Sequence, residues 1–468
     1  MDVIEPVYAL LFSRFVPTYH VHLQVLLGMV LLYVLFKKPD KQGRNAKIEN
    51  ELDIINDWKP EPLVKPVDPN SRGLNPPVTK DQIGKHITVD NVKCLNLATH
   101  NYLGFVNDEE IEAKAVAAIR KYGIGSCGPR GFFGTVDVHL ELEEKLAAFM
   151  RTEAAVVYSY GFSTIASAIP AYAKRGDIIF ADEAINFPIQ KGFTASRSHI
   201  KYFRHNDVQH LAELLEEQSL LDRKNLKKAA KTRKFLVIEG IYYKTGDICP
   251  FPELMELKKK YKLRLFIDES ISFGTLGQTG RGITEYFNVP IEDVDMIMSS
   301  MEGSLASIGG FCVGTTFVVE HQVLSGLGYC FSASLPPFLT VAATTALTVL
   351  DQRPILVEKL KEKCEEMDTL LRQSSVLGRF FKLSGFPRSP VKHLFPLKAE
   401  DDTTVRLEAI VSLCLKEGVA LTVPPFHTED TNHRAPSIRV TMNLKLESAD
   451  LVLAVSALEN AALSVFAR

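Results

Sequence analysis

The residues of this chain best suited to chemistry fall in three short stretches. The first is Ser299-Ser-Met-Glu-Gly-Ser-Leu-Ala-Ser-Ile-Gly-Gly-Phe311, a loop of small and polar residues between two apolar runs. A strand, a loop and a strand fit that texture. A lysine in such a loop would offer an amine that forms an imine with a carbonyl compound. Here the loop has none, and no lysine stands anywhere from Leu263 to Glu358. The second stretch is Gly123–Gly134, a loop with five glycines that carries Cys127 and Arg130. Glycine at that density lets backbone approach a ligand or another chain closely. No base accompanies Cys127 in the sequence, so tight packing is the better reading than nucleophile. Arg130 has two open readings, a contact to anionic substrate groups or a pair with a carboxylate. The third stretch, Ser159-Tyr-Gly-Phe-Ser163, turns from an apolar strand into a helix. Backbone amides at such a start can cradle a phosphate.

The chain around these stretches has 468 residues, 46% hydrophobic and 24% charged, enough for two or more domains and a large core. A formal net charge of −2 excludes the basic excess usual in a nucleic-acid binder. The one basic run, Arg223–Lys234, reads as a solvated helix end and a loop leading into a strand. Seven cysteines are scattered without a Cys-x-x-Cys pair, so neither a disulfide framework nor a metal site is indicated.

The elements that must position the three stretches begin at Leu95. Short apolar strands (Ala154–Tyr158, Asp177–Ala181, Lys201–Arg204, Phe235–Glu239, Arg264–Ile267, Met296–Ser299) alternate with helical patterns such as Asp108–Tyr122 and His139–Met150. That alternation predicts an α/β fold with a large, mostly parallel sheet over residues 95–345. A long helical region after Pro336-Pro337 leads into a smaller α+β domain, 346–468. Ahead of the sheet, Asn50–Val78 holds six prolines, and 51–94 reads as an extended arm. Residues 1–50 read as a membrane anchor with its juxtamembrane segment. Tyr19–Phe36 is mostly apolar, and a helix of that length spans about 27 Å. Lys37, Lys38, Lys41, Arg44 and Lys47 would keep the remainder of the chain cytosolic. Ile4–Val16 reads as an amphipathic surface helix.

Several segments line up in one order: Asn101-Tyr-Leu-Gly104, the glycine loop with Arg130 and His139, Gly161-Phe162, Asp182-Glu183, Glu239-Gly240, Asp268-Glu269, Ser304–Phe311 and Arg439. In these the chain resembles the α-oxoamine synthases, fold-type I pyridoxal-phosphate enzymes. Cys127-Gly-Pro-Arg-Gly-Phe132 and Cys330-Phe-Ser-Ala-Ser-Leu-Pro-Pro337 are similar to the lysine-less subunits of serine palmitoyltransferase. The resemblance implies a set of cofactor positions. Asp268 matches the carboxylate that pairs with the pyridine nitrogen, or stands as a structural relic. Ile271 and Asn186 fall where the family has its two ring-side histidines. Gly303 falls on the imine lysine. The chain alone is therefore expected to be inactive. Pyridoxal phosphate would be bound by a lysine-bearing partner subunit of a heterodimer. That pair would condense L-serine with palmitoyl-CoA to 3-ketodihydrosphingosine, the first step of sphingolipid synthesis.

Ser332, Ala333 and Ser334 match a segment that reaches a neighbour's cofactor phosphate, although the serines could instead cap the helix after Pro337. Tyr102, Cys127 and Arg130 are candidates for a substrate-site wall, and Arg439 for either a carboxylate contact or a structural role. The resemblance also implies small activating membrane subunits, Orm-type regulators and a single-pass location in the endoplasmic-reticulum membrane. Two alternatives stay open: a non-enzymatic scaffold or lipid sensor, and a self-sufficient synthase using another lysine such as Lys244.

Overall fold

The computed structural model describes residues 18–36, 55–64, 66, 73–425, 430 and 435–466. The segment Ile4–Val16, the lysine-rich stretch after Phe36 and much of the proline-rich arm lie outside them. The chain divides into two units, residues 1–74 and 75–468.

In the first unit, Thr18–Phe36 is a helix. It is apolar all round rather than along one stripe, the pattern of a helix made to be surrounded by apolar material. Leu26, Leu31, Leu35 and Phe36 are exposed. The apolar part, His22–Phe36, is short for a bilayer crossing. By length and composition Ser448–Phe466 would qualify, but Leu451, Ala454, Leu458 and Ala461 on it are buried, as in a core helix.

Among the described residues, the second unit is built on three sheets. Its strands in chain order are β1 Thr79–Lys80, β2 His86–Val89, β3 Val92–Asn96, β4 Ala154–Tyr158, β5 Ile178–Asp182, β6 His199–Phe203, β7 Lys234–Glu239, β8 Arg264–Asp268, β9 Met296–Ser300, β10 Gly310–Gly314, β11 Phe381–Ser384, β12 Val391–Pro396, β13 Val419–Ala420 and β14 Ile438–Thr441. The main sheet runs β4-β10-β9-β8-β7-β5-β6. Only β10 opposes its neighbours, so the sheet is mostly parallel, as expected. Every residue of β5 and β10 is buried, because helices cover both faces of such a sheet. The carboxyl ends of β5, β7 and β8 carry Asp182, Glu239 and Asp268, all buried. Ligands of open α/β sheets sit beyond such strand ends.

Two expected boundaries shift. Residues 79–94 are not an extended arm: the prolines stop at Pro77, and His86-Ile-Thr-Val89 alternates buried and less buried positions as a strand does. Asp90 and Asn91, both at positive φ, make the two-residue turn that closes the β2–β3 hairpin. β3 then pairs with β13 from the C-terminal region, giving the sheet β1-β2-β3-β13. Nor does a domain edge fall at 346, because the helix Pro337–Gln352 runs through it. The break comes at Arg353-Pro354, where the proline denies the helix a backbone donor, and a second helix occupies Ile355–Gln373.

Candidate functional site

Beyond the carboxyl ends of β7 and β8 lies a cavity of about 480 Å³. Four of the expected cofactor-site and wall positions line it: Tyr102, Asn186, Ile271 and Gly303. Asn186 caps the helix Phe187–Ser196, its Oδ1 accepting from the Phe187 amide at 2.8 Å. Its own amide donates to Glu239 Oε1 at 2.5 Å. The aromatic and apolar wall comes from Phe162, Phe187, Tyr243 and Phe395, with His100 and His393 as polar points.

The space beside Gly303 is filled by a neighbour, Tyr102. Tyr102 is 1% exposed; its amide donates to the Gly303 carbonyl at 3.0 Å and its hydroxyl meets His100 Nδ1 at 2.7 Å. A Cβ on Gly303 would stand 2.6 Å from Tyr102 Cε2 and 3.1 Å from Cδ2. That is well inside contact distance, and the ring is pinned by the bond to His100. Burial and the Arg439 charge hold His100 well below the usual imidazole range, so the imidazole is neutral.

Beneath the cavity two carboxylates lie side by side, Glu239 and Asp268 being register partners on β7 and β8. Asp268 Oδ1 accepts from the Ser270 amide at 2.9 Å and its hydroxyl at 2.5 Å. Asp268 Oδ2 has no hydrogen-bond partner among the described residues. Burial pushes the Asp268 carboxyl up to about 6. Burial first, and then the charge of Asp268, push Glu239 well above the usual carboxylate range. The free Oδ2 suits a cationic ring nitrogen. Covalent attachment does not fit, since position 303 has neither an amine nor room for its stem. The residues present therefore do not fit pyridoxal phosphate as a group bound through that position.

Lys244 is the lysine on this wall. Its sequence position after a different strand, β7, speaks against it; the turn Tyr242–Gly246 nonetheless carries it to the cavity. Its Nζ is paired with Asp430 Oδ2 at 2.5 Å, and Asp430 Oδ1 accepts from Gln190 Nε2 at 2.8 Å.

The other candidates form a separate surface. The Ser334 amide donates to the Gly128 carbonyl at 3.0 Å and its hydroxyl to Gly134 O at 2.5 Å. Ser126 Oγ donates to Ser334 O at 3.1 Å, and Ser159 Oγ to Ala333 O. Thus the glycine loop and Ser332–Ser334, far apart in the chain, are stitched into one ledge. Neither Ser332 nor Ser334 provides a side-chain cap for the helix Pro337–Gln352, so the capping alternative falls away. On the ledge Cys127 and Ala333 are exposed and Ser332 is half-buried. Phe132, Phe133 and Phe331 stand out around them, Phe133 fully exposed. Cys127 and Phe133 hold φ of 57° and 64°, a backbone region that side chains adopt only where the surroundings impose it.

Arg130 is no part of that exposed wall. It is 7% exposed and makes a two-pronged pair with Glu143 at 2.8 and 2.9 Å, and Glu143 Oε1 also accepts from the Val157 amide. Its carboxylate reading holds, because an unpaired guanidinium could not stay buried there. Arg439 is likewise structural: it donates to Tyr243 Oη and to Ala98 O, and so braces the cavity wall from behind. Residues that sequence reasoning missed are His100, Tyr243, His393 and Asp430. His100 precedes the Asn101-Tyr-Leu-Gly104 turn and was findable there; His393 enters from β12 and needed the tertiary fold.

A model of the class I and II aminotransferases matches residues 92–457. Serine palmitoyltransferase 1 of Dictyostelium discoideum is 42% identical over 435 residues, 90% of this chain and 89% of that protein. Long chain base biosynthesis protein 1 of Arabidopsis thaliana is 38% identical over 95% of this chain and 91% of that protein. The solved serine palmitoyltransferase of Sphingomonas wittichii superposes with a TM-score of 0.74 at 24% identity, over 92% of this chain and 99% of that one, a likeness of fold. By sequence and by fold, this chain belongs to the aminotransferase class I and II family and, within it, to the serine palmitoyltransferase 1 group that includes the long chain base biosynthesis proteins 1.

Proposed function

We propose that this chain is the non-catalytic but required subunit of a serine palmitoyltransferase. A lysine-bearing partner subunit binds pyridoxal phosphate, which supplies the electron sink for decarboxylative condensation. The pair joins L-serine to palmitoyl-CoA, releasing CoA and CO2 and giving 3-ketodihydrosphingosine. The observation that carries this reading is the Tyr102 ring packed where a side chain on Gly303 would start. The cavity kept its walls while losing the place for the amine.

What the chain gives instead is its ledge. Cys127, Ser332 and Ala333 form a wall of the partner's site, with Ser334 holding the two segments in register. The exposed Phe132, Phe133 and Phe331 are the apolar surface that the partner covers, as expected of a patch too apolar for a free monomer. The segment around Thr18–Phe36 anchors the assembly in the endoplasmic-reticulum membrane with the body cytosolic, and small activating subunits and Orm-type regulators bind the assembly. Co-expression tests the reading. Each chain alone should give no ketone product and the pair should give it. Turnover by this chain alone, or full activity of the partner without it, would refute it.

One observation favours the self-sufficient alternative: Lys244 lines the cavity. Against it, the Lys244 side chain is tied to Asp430 Oδ2 at 2.5 Å.

A further inference from the structure

The basic run Arg223–Lys234 is more than a solvated helix end. The helix Val208–Lys224 stops at Asn225, which also caps a short second helix, Leu226–Ala229. Arg233 and Lys234 at the end of the run are neutralised by Asp177 and Asp222. The five before them, Arg223, Lys224, Lys227, Lys228 and Lys231, are all exposed, and none has a carboxylate within ion-pair distance among the described residues. Five uncompensated cations in nine residues are a concentrated field on a chain whose net charge is −2. Solvation alone accounts for those charges, but not for what stands among them. Leu220, Leu221 and Leu226 are 50%, 47% and 71% exposed, at the same helix–turn–helix corner.

Cations with exposed leucines interleaved match an anionic bilayer surface, where lysines meet headgroups and leucines enter the acyl boundary. An acidic protein would satisfy the charges but would leave the three exposed leucines without a counterpart. We infer that the corner Leu220–Lys231 is a docking surface for an anionic lipid membrane. It is a second attachment, one that fixes how the globular unit lies on the membrane.

Amine footprinting of the full chain tests this. The chain is reconstituted into vesicles of phosphatidylcholine, or of phosphatidylcholine with phosphatidylserine, and acylated with a lysine reagent. Peptide mass spectrometry then tracks Lys224, Lys227, Lys228 and Lys231, with the exposed Lys114 and Lys382 as references. Phosphatidylserine should slow acylation of the four by roughly fivefold relative to the references, and raising salt to about 1 M should abolish the difference, since screening then acts within about 3 Å. Leu226→Ser should reduce the protection without changing the fold of an exposed corner. Equal acylation in both vesicle types would overturn the inference. So would protection that appears only when the lysine-bearing subunit or another protein is added, which would assign the corner to a protein partner.

Discussion

The cavity under Tyr102 and the ledge around Cys127 adjoin at one turn, Ser159–Phe162. Ser159 ties to the ledge, while Gly161 and Phe162 line the cavity. The two are kept in different ways. In the cavity the frame survives: neutral His100, buried Asp268 and Glu239, and the capped helix at Asn186. Its lining includes a glycine, Gly303, an isoleucine, Ile271, and an asparagine, Asn186. On the ledge, bulky side chains sit at positive φ and are held outward by hydrogen bonds between distant segments. Backbone strain costs free energy and persists where the surroundings enforce it. The contrast is between a cavity whose frame is buried and well bonded and a ledge whose strained residues are exposed, and the proposed function places the chain's work on the ledge.

Substitutions that hit one region and spare the other can break this contrast. The largest effect should come from Arg130→Ala, which strands the Glu143 carboxylate beneath the ledge. Removing one member of a buried pair costs about 3–5 kcal/mol, so chemical denaturation should show a loss of that order, with assembly failing alongside. Arg130→Lys should recover only part of it, because an ammonium cannot reproduce the two parallel bonds.

Next comes Gly134→Ala, where a Cβ would run into the Gly128 and Pro129 carbonyls. Crowding of this kind costs about 1–3 kcal/mol. Here it also displaces the ledge, so product formation by the assembled pair should drop by on the order of tenfold. Unchanged activity would detach the ledge from the partner's site.

Gly303→Ala probes the cavity in the same way. Its Cβ meets the Tyr102 ring, and the chain should lose about 1–3 kcal/mol of stability. The assembled pair's activity per folded complex should stay within about twofold, since the proposed function runs no reaction step through this cavity. Gly303→Lys should likewise fail to yield a coenzyme adduct.

The smallest effect concerns pH. Asp268 has a folded value of about 6 against roughly 3.9 unfolded, so between these values the folded state binds the extra proton. Stability then falls as pH rises through that window and is level above it. Asp268→Asn should flatten that slope in thermal melts between pH about 4 and about 6, with the assembled pair's activity unchanged.

Much of this was legible beforehand. The strands from Ala154 to Ser300 matched within a residue or two, because apolar runs bounded by polar turns leave few alternatives. The stretch around position 303 stood out by having no lysine, and the fold places Gly303 on the cavity wall. Two things were hidden. One was the β2–β3 hairpin, masked by the neighbouring prolines although Asp90-Asn91 is a hairpin turn signal. The other was which candidates share a surface: Ser334 reaches Gly134 across 200 residues, and Lys244 reaches the cavity from another strand's turn. Such long-range pairings depend on how the helices stack on the sheet, which periodicity along one chain does not record.

The most direct test is to reduce the purified two-chain complex with borohydride in the presence of pyridoxal phosphate and map the modified peptides. The coenzyme should appear on a lysine of the partner subunit and on no peptide of this chain, with Lys244 recovered unmodified. A stoichiometric adduct on Lys244, or on any other lysine of this chain, would contradict the account.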